Sequence, residues 1–93
     1  FYFAGFLPAK REACRKALMS LAAIDATLVF FESASRLQKT LLIMQDTLGN
    51  REASVAREIT KLHEECRRAT LADLSAHYAR TGEPKGEVVI VVS

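Results

Sequence analysis

The stretch ATLVFFESASRL, residues 26–37, decides the fold, because its apolar run continues unbroken from Leu28 to Phe31 and stops at Glu32. An apolar run of strand length without polar alternation is typical of a strand covered on both faces, as in the sheets of α/β proteins. The small polar residues that follow predict a loop. Ligands of open α/β sheets lie beyond the carboxyl ends of strands, so we expect any site near residues 32–36.

The segment after this strand has the apolar spacing of a helix. Apolar residues recur at steps of four, three and four, at Leu37, Leu41, Met44 and Leu48. This spacing places them on one stripe of a helix over residues 36–48. Ser35 and Gln38 have the spacing of a capping box, so we expect Ser35 to cap this helix.

The rest of the chain continues the alternation of strands and helices. Strands are predicted over residues 1–6, 52–59, 66–70 and 87–92, and helices over residues 9–23 and from Thr70 onward, where Asp73 stands at the capping-box position. The strand at 66–70 is expected to be antiparallel to its predecessor, because no crossover of about a dozen residues separates the two. The strand at 87–92 should be buried on both faces. Together these elements predict an α/β fold with a mixed, mainly parallel sheet and helices on both faces.

The length of 93 residues suits a single domain over residues 1–93. The chain begins with Phe and enters a predicted strand at once, so we interpret it as part of a longer protein. No apolar run approaches the roughly 20 residues that span a bilayer, and no leader pattern is present, so we expect a soluble protein.

The net charge of +2 is too small to indicate nucleic-acid binding by itself. Four basic residues nevertheless fall in the first predicted helix, at Lys10, Arg11, Arg15 and Lys16. They form either a solvated helix face, with Glu12 and Lys16 paired four residues apart, or a patch that contacts phosphate groups. The sequence leaves both interpretations open.

The short motifs exclude several kinds of site. The run His63-Glu64-Glu65-Cys66 has metal-ligand residue types but no zinc-site spacing, so no metal site is predicted. The four glycines stand alone, which excludes a glycine-rich phosphate loop in this chain. Cys14 lies on an apolar helical stripe and is expected to be a reduced core thiol.

Charged residues cluster after two of the predicted strands. Glu32 and Arg36 follow one strand, and Arg57, Glu58, Lys61, His63 and Glu64 follow or end another. Both groups fall at the predicted carboxyl edge of the sheet, which suggests a binding site there. Solvated loops with paired charges are the open alternative.

Four motifs in order carry a resemblance to a known family. They are Gly5-Phe6-Leu7-Pro8, Thr27 to Ser33 with Arg36-Leu37, the run from Ala56 to Glu65 with sequence AREITKLHEE, and Thr70-Leu71 opening a helix. In this order they resemble the C-terminal domain of the bacterial ribosomal RNA small subunit methyltransferase I family (RsmI), within the tetrapyrrole methylase superfamily. The resemblance covers nearly the whole chain.

The resemblance implies a function and its partners. It implies a cytoplasmic homodimer that uses S-adenosylmethionine to 2′-O-methylate a cytidine in 16S rRNA, with the family's glycine-rich N-terminal domain absent from this chain. Three segments are expected to face the methyl donor: Glu32-Ser33, Glu58-Ile59 and Thr70-Leu71. Arg36, Arg57 and Lys61 are expected to face the RNA.

Methyl transfer to a ribose hydroxyl also needs a group that accepts the hydroxyl proton. Glu32 and Glu64 are candidate proton acceptors, and Lys61 could hold a phosphate or the developing alkoxide. Two other functions stay open at this point. One is methylation of a tetrapyrrole carbon, against which the charged run at residues 57–65 argues, and the other is a non-catalytic α/β dimerisation or regulatory domain.

Overall fold

The computed structural model describes residues 1–60, 63–82 and 86–93, and it describes the backbone alone at residues 58–60 and 63–65. In chain order the elements are β1 Tyr2–Phe6, α1 Arg11–Leu21, β2 Leu28–Ser33, a 3₁₀ turn Ala34–Arg36, α2 Leu37–Leu48, β3 Glu52–Thr60, β4 His63–Thr70, α3 Leu71–Thr81 and β5 Glu87–Val92. Every predicted strand and helix is present. The predicted antiparallel strand β4 starts at His63, three residues earlier than expected.

The five strands form one sheet in the order β1-β2-β5-β3-β4. The mixed α/β class is therefore confirmed, but the expectation of a mainly parallel sheet is wrong. The pair β1-β2 is parallel, whereas β2-β5, β3-β5 and β3-β4 are antiparallel. The reason is that β3 and β4 form a hairpin without a crossover helix. β4 therefore runs antiparallel to β3 and ends where β3 begins. Helix α3 then runs back, so β5 enters the sheet antiparallel to β2.

The three helices form one layer, with α1 against α2 and α2 against α3. This layer covers one face of the sheet, which we call the covered face. The strand residues on it are almost completely buried and join one core cluster with the apolar stripes of the helices: Leu28, Phe30, Ala53, Val55, Val88, Ile90 and Val92. Alternation along each strand thus decides which side chains enter the core.

The other face of the sheet, which we call the open face, is less buried. Val29 and Phe31 on β2 are half-buried, although they belong to the same apolar run as Phe30. The rings of Phe3 and Phe6 pack on Phe31 with centroids 5.2 and 5.4 Å away, and both phenylalanines remain more than half exposed. Within the described residues, the expected cover of helices on both faces is therefore not found.

The two predicted helix caps have different outcomes. Thr70 caps α3, because its Oγ1 accepts a hydrogen bond of 3.2 Å from the Asp73 N–H. The predicted cap at Ser35 is wrong, since the Ser35 hydroxyl lies 3.0 Å from the Ser33 hydroxyl and caps no helix. The Ala34 N–H donates to the Gly86 carbonyl at 2.8 Å, so the chain turns one residue before Ser35 and places it inside the 3₁₀ turn.

Candidate functional site

The described residues bring two predicted charged segments to one edge of the sheet. Both β2 and β3 run antiparallel to β5, so their carboxyl ends lie at the same edge. A cross-strand row at this edge contains Glu32 on β2, Val88 on β5, Arg57 on β3 and Glu65 on β4. In the described backbone past Arg57, β3 pairs with β4 as a two-stranded ribbon.

Glu32 is buried at this edge and has three hydrogen-bond donors. Its Oε1 accepts from the Ser33 N–H at 2.7 Å and from Arg36 Nε at 3.2 Å, and its Oε2 accepts from the Thr40 hydroxyl at 2.7 Å. The residue is 3% exposed. Since buried carboxylates are stable only when hydrogen-bonded or paired, these contacts explain how a charge fits under the helix layer. They also join the end of β2 to the first turn of α2.

This geometry bears on the predicted role of Glu32 as a proton acceptor. Both carboxylate oxygens are occupied by donors from its own loop and helix, and neither is exposed to a substrate. The arrangement favours a positioning role, in which Glu32 holds Arg36. The Arg36 side chain is 40% exposed, and its Nε donates to the Glu32 carboxylate.

The residues predicted to face the methyl donor do not come together in one place. Ser33 and Ser35 present a pair of exposed hydroxyls at the carboxyl ends of β2 and β3, which we call the Glu32 edge. Thr70 lies at the other edge, opposite Glu52 at the start of β3 and about 17 Å along β4 from the row that contains Glu32. Leu71 is fully buried in the core. Thr70 and Leu71 thus lie apart from the Glu32-Ser33 segment.

Several predicted site residues lie outside what the structure describes. Lys61 is not among the described residues, and the side chains of Glu58, Ile59 and Glu64 are not described either. Their predicted roles stay predictions. Arg57 is described, and it lies half-buried on the covered face in the same row as Glu32.

Cys14 lies in the core as expected, and its thiol is not poised for chemistry. Burial raises the pKa of the Cys14 thiol above its ordinary value, and the negative charge of Glu32 raises this pKa further, against a smaller opposite effect of Lys39. The thiol therefore stays protonated at neutral pH. In the part of the chain that the structure describes, no three His, Cys, Asp or Glu side chains come close enough to hold a metal ion.

Two features of this region were missed by sequence reasoning. The first is Thr40, which donates to Glu32 and is a polar residue among the buried residues of α2. A polar residue next to the apolar stripe could have indicated a buried hydrogen-bond partner. The second is a groove between α1 and α2 with a volume of about 120 Å³. It is lined by Arg11, Arg15, Lys39, Leu42, Ile43 and Asp46. No local motif pairs α1 with α2, so the sequence has no signal for this groove.

Comparison with curated proteins finds relatives along the whole chain. It is 55% identical over 92 residues to the ribosomal RNA small subunit methyltransferase I of Erythrobacter litoralis, and 48% identical over 93 residues to that of Mesorhizobium japonicum. Each match covers 99% of this chain. The resemblance to the ribosomal RNA small subunit methyltransferase I family is confirmed. The chain spans 32% of the length of these two methyltransferase I relatives.

The fold agrees with a solved methyltransferase. The crystal structure of the methyltransferase CobJ superposes on the whole chain with a TM-score of 0.69, over 41% of the CobJ chain and at 18% sequence identity. At this identity the similarity supports the fold alone. No protein-family model matches the chain. None of the helices in the described ranges is long and apolar enough to cross a membrane.

Proposed function

We propose that this chain is part of an S-adenosylmethionine-dependent methyltransferase that 2′-O-methylates a cytidine ribose in 16S rRNA. We further propose that the enzyme acts in the cytoplasm as a homodimer. The observation that carries the proposal is the 55% identity, over 99% of this chain, to a relative named ribosomal RNA small subunit methyltransferase I. This chain spans 32% of that relative's length, so the proposal includes further parts of the enzyme that complete the active site.

The Glu32 edge is the part of this chain that we assign to the RNA. Arg36 has its Nε held by a buried carboxylate, and its side chain is 40% exposed. A guanidinium held in this way loses little conformational entropy on binding and has the planar geometry that suits a phosphate group. Arg57, in the same row, and Lys61, beyond the end of β3, are the further RNA contacts in this proposal.

Methyl transfer to a ribose oxygen is an in-line displacement, so alignment of the hydroxyl and removal of its proton are the tasks that the protein must perform. S-adenosylmethionine, when bound, supplies the methyl group. For the proton we retain Glu64, with Lys61 near the developing negative charge on oxygen. Glu32 is assigned to positioning Arg36.

In this proposal, fewer residues of this chain face the methyl donor than the six that the sequence predicts. We retain the Glu32-Ser33 loop and the strand end at Glu58-Ile59, which share one edge of the sheet. Thr70 and Leu71 are left out, because one caps α3 at the other edge and the other is buried in the core.

The test uses the full-length enzyme, a labelled methyl donor, and assembled small ribosomal subunits. Digestion of the RNA to nucleosides and mass spectrometry should locate the label on a cytidine ribose. Arg36→Ala should raise the KM for the ribosomal substrate about tenfold or more, which is the loss of a charge-assisted contact. The affinity for S-adenosylmethionine should stay within about twofold.

A matched control is Arg68→Ala, because Arg68 is an exposed arginine near the other edge of the sheet. This variant should leave the KM unchanged. A label on a base contradicts the proposed ribose chemistry. A label on a uroporphyrinogen-like compound instead of RNA supports the tetrapyrrole alternative, and transfer to neither substrate supports a non-catalytic domain.

A further inference from the structure

The groove between α1 and α2 joins basic residues that are distant in sequence. Arg11 and Arg15 come from successive turns of α1, and Lys39 comes from the first turn of α2. Asp46 is the one carboxylate in the groove lining, and Leu42 and Ile43 supply the apolar part of that lining. Three cations against one carboxylate give the groove a positive potential, which a slightly basic chain of net charge +2 does not reveal.

The ion pairs at the groove do not neutralise it. Arg15 lies 3.7 Å from Asp46 and 3.9 Å from Glu12, and all three side chains are substantially exposed. Exposed pairs at such distances contribute little free energy and exchange readily with another anion. In the described part of the chain, Arg11 and Lys39 have no ion pair. The Glu12–Lys16 pair predicted from spacing is replaced by Glu12 with Arg15.

The groove starts at the Glu32 edge, where the 3₁₀ turn with Arg36 also lies. Helix α1 follows β1 and α2 follows β2, and because these strands are parallel, both helices begin at the carboxyl edge. Arg11 and Lys39 are in the first turns of these helices, so they lie at the end of the groove nearest that edge. Arg36 and this end of the groove therefore lie at the same edge of the sheet.

We propose that this groove binds the phosphate backbone of the substrate RNA next to the nucleotide that is methylated. The proposal rests on the function proposed above and extends it to a second contact surface. The charge of the groove fits a phosphodiester, and the half-exposed Leu42 offers apolar surface to a ribose ring. Contacts of this kind position the RNA without reading its sequence.

The experiment measures binding of a small-subunit rRNA fragment to the full-length enzyme over a range of KCl concentrations. The double variant Arg11→Ala/Lys39→Ala should bind about tenfold or more weakly. The slope of log affinity against log salt concentration should become shallower by roughly 1 to 2, as expected for two lost phosphate contacts. In methylation assays the KM for RNA should rise while kcat stays the same, because in this proposal the groove contacts the phosphate backbone and not the reacting atoms.

The control variant is Lys16→Ala, which removes an exposed charge from α1 outside the groove and should leave the slope unchanged. A second variant, Asp46→Asn, removes the opposing carboxylate and should strengthen RNA binding about two- to threefold. A reduced affinity that results from misfolding would lower the affinity for S-adenosylmethionine and the thermal midpoint, and neither should change here.

The two proposals can fail separately. If the wild type binds and methylates rRNA while the double variant keeps its affinity and slope, the groove assignment is overturned and the proposed function stands. If Lys16→Ala weakens binding as much as the double variant, the contact is diffuse charge and the groove assignment is again overturned. If the wild type neither binds nor methylates rRNA, the proposed function itself is rejected, and the groove assignment with it.

Discussion

The two faces of the sheet differ even along β2 and β5, whose apolar runs supply residues to both faces. Phe30 and Phe31 are adjacent on β2, yet Phe30 is 0% exposed beneath the helix layer while Phe31 is half-buried and packs on Phe3 and Phe6. On β5, Ile90 and Val91 show the same difference. The comparison teaches that an unbroken apolar run specifies a strand but does not specify how many of its faces this chain covers.

The sharpest test of this comparison is the pair of phenylalanines. Phe30→Ala should cost about 3–5 kcal/mol of unfolding free energy, because it leaves a cavity in the core. Phe31→Ala should cost about 1–2 kcal/mol, since it removes a half-buried ring and its contacts with the rings of Phe3 and Phe6. Urea unfolding of the 93-residue chain gives both values. Equal losses would show that the open face is as well packed as the covered one.

The two faces also carry a matched pair of carboxylates at one sheet edge. Glu32 is buried on the covered face, and Glu87 is exposed beside Ser33 on β5. Glu32→Gln should cost about 1–3 kcal/mol, because at least one of its buried donors then lacks a charged acceptor. Glu87→Gln should stay within about 0.5 kcal/mol. Thermal unfolding measures the difference, and a Glu32→Gln variant as stable as the wild type would show that its hydrogen bonds are dispensable.

The two cysteines allow an exposed site on the sheet and a buried site in the core to be compared by chemical modification, without any substitution. Cys66 pairs with Ala56 across β3-β4 and is exposed, whereas Cys14 is buried on the core-facing side of α1. At pH 8, Cys66 should react with a thiol reagent at the rate of an unhindered thiol, and Cys14 should react only as fast as the chain unfolds. Rapid modification of Cys14 in the native chain would show that the helix layer opens readily.

Because the pKa of Cys14 is raised in the folded chain, the free energy of unfolding should depend on pH in the alkaline range. Below its ordinary pKa of 9.0 the thiol is protonated in both the folded and the unfolded chain, so it contributes no pH dependence. Above that value the unfolded chain loses the proton first, so rising pH favours unfolding. The midpoint of urea unfolding should fall from pH 9 upward, and the fall should be smaller in a Cys14→Ala variant.

Much of the fold could be predicted because it depends on local chemistry. The apolar spacing of α2, the cap of α3 by Thr70 and the short connection between β3 and β4 all involve neighbouring residues, and each was predicted correctly. The failures involve distant partners. Ser35 does not cap α2 because the Gly86 carbonyl, far along the chain, sets where the turn begins.

The candidate site follows the same division. The sequence singled out Glu32 and Arg36, since a strand that ends in charged residues is a local pattern. It did not indicate that the Thr40 hydroxyl and the Ser33 N–H would donate hydrogen bonds to the Glu32 carboxylate. Nor could it place Thr70 at the far edge of the sheet, because strand direction is a property of the assembled sheet.

By itself the sequence determined the order of strands and helices, the class of the fold, the charged segments and the family resemblance. These depend on residue types and on spacings along the chain. Only the tertiary structure decided which face of the sheet is covered, which carboxylate is buried, and that Lys39 joins Arg11 and Arg15 in one groove. The physical reason is that burial and electrostatic potential depend on distances between side chains, and those distances are set by packing and strand order.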